Sequence, residues 1–262
     1  MKILFTGGGT GGHFYPIIAI AEAINKKVEE KKILAPNLYY MAPSKYNPRA
    51  LFDNEIEYIH VPSGKIRRYF SILNFLDIFK TIYGVILATI KVYNLYPDVV
   101  FGKGGYASFP ALFAARILKI PVVIHESDSG PGRVNSWAAK FAEKIAISYP
   151  DAFLEFIKND KSGKLKDKIA FTGNPVRKDI IEPLSNGARE FLNLEEKTPI
   201  ILIMGGSQGS QNINDVIIDS LGDLVNKYQI IHQTGRRNFQ SVSETAKIVL
   251  KDNINAYRYH PF

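Results

Sequence analysis

The chain contains no cysteine. That excludes disulfide frameworks, thiolate metal sites and cysteine nucleophiles together, and it suits a reducing compartment. A secretory signal is not expected either, because the first residues run from a strand, Lys2–Thr6, straight into glycines. No uninterrupted apolar span of about 20 residues is present. The most apolar stretch, 72–96, is broken by Asp77, Lys80 and Lys91, so no transmembrane helix is expected. Zinc-finger spacing, RNP-type sequence and dense basic-aromatic stripes are also missing, which argues against nucleic acid as a partner. The histidines His60, His232 and His260 have no metal-ligand spacing, and no metal site is expected.

What is present is an ordinary globular composition, 46% hydrophobic and 22% charged over 262 residues, enough for two α/β domains. The basic excess is uneven. Residues 1–170 hold 23 Lys+Arg against 15 Asp+Glu, whereas residues 171–262 hold 10 of each. The first part is therefore the one expected to face something anionic.

Short β-rich runs alternate with helical spacing, the pattern of a parallel sheet covered on both faces. Strands are predicted at 2–6, 38–41, 56–60, 98–101, 121–125, 144–147 and 168–172, with helices over 15–27, 107–119, 131–141 and 151–157. After Pro175, Pro183 and Gly187 the pattern restarts with a strand over 198–204, a helix over 212–225, a strand over 229–233, a helix over 239–249 and a last strand over 255–259. The expected domains are 1–172 and 173–262. Three strands make a partial second domain, with a sheet edge or face left uncovered.

Glycine turns follow three predicted strands, at Gly7–Gly12, Gly102–Gly105 and Gly205–Gly209. Such turns let the backbone approach phosphate oxygens, and ligands of open α/β sheets sit at strand carboxyl ends. Gly7, Gly9 and Gly12 satisfy a dinucleotide fingerprint, but the second strand ends Tyr40-Met-Ala-Pro-Ser44 without the required acid. A P-loop needs Lys and Ser/Thr after its last glycine, where this chain has His13 and Phe14.

Gly8-Gly-Thr-Gly-Gly-His13 resembles the opening of the MurG family of GlcNAc transferases. The resemblance continues in order through Phe101-Gly-Lys-Gly-Gly-Tyr106, Pro121-Val-Val-Ile-His-Glu126, Pro131-Gly-Arg-Val-Asn135, Gly173-Asn-Pro-Val-Arg177, Gly205-Gly-Ser-Gln-Gly209 and His232-Gln-Thr-Gly235. It implies a GT-B fold, two Rossmann-like domains facing a cleft, here with an incomplete second domain. It implies inverting transfer of GlcNAc from UDP-GlcNAc to the muramyl sugar of lipid I, at the cytoplasmic membrane face, with no cofactor or essential metal. Family members run on for about another third, through residues that grip uracil, ribose and GlcNAc. An incomplete chain is therefore expected, or an acceptor-binding half of a split enzyme that is inactive alone.

By motif, the resemblance places Thr10, Gly11, Gly12, Asp128, Arg177 and Ser207 at the donor. Asp128 stands where the family usually has Asn, and Asp accepts the same hydrogen bonds but donates none. Gly102, Gly104, Gly105 and Tyr106 form the loop expected at the acceptor diphosphate. An inverting transfer needs a base at the acceptor hydroxyl, and His13 suits that role, with Glu126 beside His125 as a second polar candidate. The run Lys65 to Lys80 joins Lys65, Arg67 and Arg68 to Phe70, Phe75 and Phe79, a pairing that suits adsorption to an anionic membrane.

Overall fold

The computed structural model describes all residues except 66–71, 159, 161–162, 183–186 and 207–208. The chain forms two compact units, Met1–Glu182 and Pro183–Phe262.

In the first unit the elements are β1 (Lys2–Thr6), α1 (Gly11–Lys31), β2 (Asn37–Ala42), α2 (Pro48–Asp53), β3 (Ile56–His60), α3 (Ile72–Leu95) and β4 (Val99–Gly102). They continue with α4 (Phe109–Ile117), β5 (Val122–Glu126), α5 (Arg133–Ala138), β6 (Lys144–Ile147), α6 (Pro150–Lys158), β7 (Ile169–Phe171) and α7 (Lys178–Ile181). All seven strands among the described residues pair in parallel, in the order β3-β2-β1-β4-β5-β6-β7. Successive side chains of a strand point to opposite faces, and β1 shows it. Leu4 joins the core under α3 and α4, with Val100, Leu112 and Ile124. Its neighbours Ile3 and Phe5 join the other core, with Phe14, Ile17 and Ile18 of α1. Strand order reverses between β1 and β4, so the loops after these two strands part and leave a crevice at their carboxyl ends.

Helix α1 begins at Gly11, four residues before the apolar spacing predicts, and carries Pro16 inside it. The two glycines and the proline hide the start. Pro16 forfeits only the one hydrogen bond its missing N–H would have made near the helix entrance.

Helix α3 is apolar on two faces. Gly84, Ala88 and Val92 are buried at a spacing of four, against the core and α4. The opposite face exposes Phe75, Phe79, Ile82, Tyr83, Ile86, Ile90 and Tyr93. Gly84 permits the packing, since a Cβ there would stand 1.9 Å from the Pro62 carbonyl oxygen. Gly84→Ala is expected to cost about 1–3 kcal/mol by overpacking, read as a fall in thermal midpoint. An unchanged midpoint would mean that α3 is not seated on Pro62. None of the helices in the described residues is long and apolar enough to cross a membrane.

The second unit holds α8 (Ala188–Phe191), β8 (Ile200–Met204), α9 (Gln211–Lys227), β9 (Gln229–Gln233), α10 (Phe239–Val249) and β10 (Tyr259–Pro261). Its strands are parallel in the order β10-β9-β8. Ile201 and Ile203 pack on the cluster of Ile218, Leu221, Val225, Val242 and Ala246, while Leu202 and Met204 are exposed on the other side. The last strand starts at Tyr259, later than expected. Ala256–Arg258 form a 3-10 turn instead, because Arg258 reaches back to both Glu195 carboxylate oxygens and to the Val225 carbonyl, each at 3.1 Å. Hydrogen bonds from Thr198, Tyr257 and Arg258 hold the Glu195 carboxyl at about 2.

Candidate active site

The ends of β1, β4 and β5 meet at the carboxyl edge of the first sheet. Thr10 caps α1 through its backbone carbonyl, which accepts from His13 N at 3.2 Å and Phe14 N at 3.3 Å. Its hydroxyl is thus released from capping and bonds His13 Nδ1 at 2.8 Å. Gly11 and Gly12 form the first turn of α1 beside it. The Nε2 side of the His13 ring faces Gly105, where a Cβ would lie 3.4 Å from Nε2. Gly105 has φ 75°, a conformation that favours glycine, so the loop can pass close to the imidazole. Burial first, then the Lys103 charge, lowers the His13 pKa, while Glu126 and Asp128 oppose the shift.

The loop after β4 interlocks with its neighbours. Gly102 ends the strand, Gly104 abuts the Asn135 amide, and the Tyr106 carbonyl accepts from Ser63 Oγ at 2.7 Å. Between the glycines lies Lys103, a residue the sequence reading passed over. It is 1% exposed, and its ammonium donates to Ser127 Oγ at 2.7 Å. Burial pulls its pKa down, against the Glu126 and Asp128 charges. A lysine flanked by glycines at a strand end was the only available signal.

Glu126 is buried, and all its acceptor capacity is engaged. Oε1 accepts from Ser127 N (2.9 Å) and Asp128 N (3.1 Å), and Oε2 accepts from Gly132 N (3.0 Å) and Asn135 Nδ2 (2.9 Å). These bonds fold the segment from Glu126 to Asn135 around one carboxylate. His125 bonds elsewhere, through Nε2 to the Gly173 carbonyl at 3.0 Å, so the two residues act separately. Asp128 is exposed beside this loop. Arg177 lays its guanidinium over the Tyr15 ring at 4.3 Å, two residues along α1 from His13. This contact, together with a hydrogen bond from Lys178 N to Glu22, keeps residues 173–182 with the first unit.

Ser207 lies outside the described residues, as do Arg67, Arg68 and Phe70. Lys65 is exposed, and so are Phe75 and Phe79, whose rings meet edge to face at 5.0 Å. Among the described residues no cluster of His, Asp and Glu could hold a metal ion.

Residues 3–147 match the glycosyltransferase family 28 N-terminal domain, and residues 200–262 match the family 28 C-terminal domain. A protein of Treponema denticola named UDP-N-acetylglucosamine--N-acetylmuramyl-(pentapeptide) pyrophosphoryl-undecaprenol N-acetylglucosamine transferase is 36% identical, over 99% of this chain and 67% of its own length. A Clostridium botulinum protein of the same name is 36% identical over 94% of this chain and 66% of its own. The chain thus spans about two thirds of these relatives. Among solved structures it is similar to MurG of Acinetobacter baumannii (TM-score 0.60, 23% identity, 100% of this chain and 65% of that one). It is also similar to a UDP-GlcNAc 2-epimerase of Neisseria meningitidis bound to UDP-GlcNAc (TM-score 0.65, 18% identity, 100% and 72%). These likenesses carry the fold, α/β and GT-B-like. From the two domain matches and the identity to its relatives, the chain belongs to glycosyltransferase family 28, within the MurG group.

Proposed function

We propose that this protein transfers GlcNAc from UDP-GlcNAc to the muramyl sugar of a lipid-linked MurNAc-pentapeptide, with inversion, giving the disaccharide lipid. The observation that carries this reading is the seating of His13 at the meeting of the glycine loops, in a chain 36% identical to proteins named for that transfer. In the tautomer that donates Nδ1–H to the Thr10 hydroxyl, Nε2 is an acceptor. It takes the proton of the acceptor hydroxyl as that oxygen bonds to the GlcNAc anomeric carbon. The carbon–oxygen bond to UDP breaks on the opposite face, and UDP leaves with the electron pair. Arg177, Asp128 and Ser207 stay assigned to the donor, and Glu126 to holding the loop after β5. The test is incubation with labelled UDP-GlcNAc and lipid I, which should give labelled disaccharide lipid. Epimerised UDP-GlcNAc formed without acceptor would overturn the reading.

The acceptor is membrane-borne, and the exposed face of α3 supports docking to the anionic inner leaflet as a peripheral protein. Phe75 and Phe79, half immersed, contribute about 2 kcal/mol together. Replacing both with Ser is expected to weaken vesicle binding roughly thirtyfold at any salt concentration. Replacing Lys65, Arg67 and Arg68 with Ser should cost about 1 kcal/mol per residue, and high salt should erase that loss. Unchanged sedimentation of both variants with vesicles would sink the docking face.

A further inference from the structure

A cavity of about 340 Å³ opens beside His13, walled by Thr81, Tyr106, Phe109, Arg133 and Val134. Most of its polar side chains are already committed. Ser63 donates to the Tyr106 carbonyl, Thr81 donates to the Asp77 carbonyl and accepts from Gly64 N, and His13 Nδ1 meets Thr10. Besides the Tyr106 hydroxyl, which has no hydrogen bond among the described residues, Arg133 is the exception. Among the described residues no hydrogen bond, ion pair or ring contact holds its guanidinium, although it lies next to Gly132, whose N–H is taken by Glu126.

We propose that Arg133 is a specificity-determining residue of the acceptor side, gripping the diphosphate that joins the acceptor sugar to its prenyl chain. This rests on the transfer reaction proposed above. A guanidinium presents a planar fork of donors that matches phosphate oxygens two at a time. The position selects the diphosphate over the peptide carboxylates of the same acceptor. On one side the cavity reaches His13, where the sugar hydroxyl must lie; on the other it reaches Thr81 of α3, the helix with the exposed apolar face. In a lipid-linked sugar the group between hydroxyl-bearing ring and prenyl chain is the diphosphate. Phe109 and Val134 supply apolar wall for the first prenyl unit. The volume is at the small end for ligand sites, which suits the middle of a long amphiphile.

Trp137 is the single tryptophan, and its ring lies 5.1 Å from that of Phe109, so its fluorescence reports on the cavity. The wild type, Arg133→Leu and Arg133→Lys would be titrated with inorganic pyrophosphate and with phosphatidylcholine vesicles. The vesicles carry either undecaprenyl diphosphate or phosphatidylglycerol at equal charge. The wild type should prefer the diphosphate vesicles at least tenfold. Arg133→Leu should lose that preference, Arg133→Lys should keep part of it, and all three should bind phosphatidylglycerol vesicles alike. A preference that survives in Arg133→Leu overturns the proposal, as does an equal loss on both vesicle types. Arginine-dependent binding of free pyrophosphate without any vesicle preference assigns the site to a soluble diphosphate and overturns the acceptor assignment. The transfer assay separates the two levels: transfer with an unchanged KM for lipid I in Arg133→Leu defeats this inference alone. Arginine-dependent lipid preference without transfer defeats the reaction alone.

Discussion

Replacing His13 with Ala is expected to lower turnover by about 10²-fold or more, while the unfolding midpoint scarcely moves. The imidazole is linked to the fold by one hydrogen bond, to Thr10, a bond that contributes about 1 kcal/mol. Transfer rate and urea midpoint, measured side by side, decide it; a parallel fall in both would make His13 a structural histidine. Its pH dependence has a fixed sign. Burial and Lys103 lower the pKa, so the neutral base persists below the ordinary histidine value near 6.5. Between the two values the unfolded chain binds more protons than the folded one. The stability from His13 is therefore complete above about pH 6.5 and is lost as pH falls through the folded value. The acid limb of kcat/KM should lie below pH 6.5, and Lys103→Met should move it upward.

Glu126→Leu is expected to be the most damaging single change to the first unit, costing about 3–5 kcal/mol. It strands four N–H donors and removes a carboxylate whose charge offsets buried Lys103. At about 2–4 °C per kcal/mol, calorimetry should show the midpoint down by roughly 10 °C. Glu126→Gln keeps one acceptor oxygen but sets its NH2 against two of the four donors, so it should lower the midpoint by part of that amount while keeping most of the turnover. If Glu126 were the base, Gln would instead abolish turnover and leave the midpoint alone. The two variants thus separate an organiser of the loop from a proton carrier.

The seven strands of the first sheet were legible because each is a short β-rich run alternating with helical spacing, the pattern of a parallel sheet covered on both faces. The start of α1 was not, since Gly11, Gly12 and Pro16 read as loop by propensity while tertiary packing of Phe14 and Ile17 holds them helical. The last strand slipped because Glu195, some sixty residues away, pulls Arg258 into a turn. His13 could be chosen from its place between a glycine loop and a helix. The difference between Glu126 and His125 could not, because adjacent residues of a strand point apart and their partners come from distant loops. Lys103 and Arg133 show the same limit: one cation is buried and the other has no partner among the described residues, and nothing local in either sequence context says which.

The exposed face of α3 spans Phe75 to Tyr93, about 27 Å at 1.5 Å per residue. A body resting on a bilayer along such a line can roll about it but cannot pitch end over end. Thr81, on that same helix, borders the cavity next to His13. The axis of rolling therefore runs close to the cavity, and the lever arm between them is short. Rocking would leave the mouth beside His13 at nearly constant depth relative to the headgroups. A lipid-anchored substrate would then find its diphosphate at the same height whatever the tilt of the rest of the molecule.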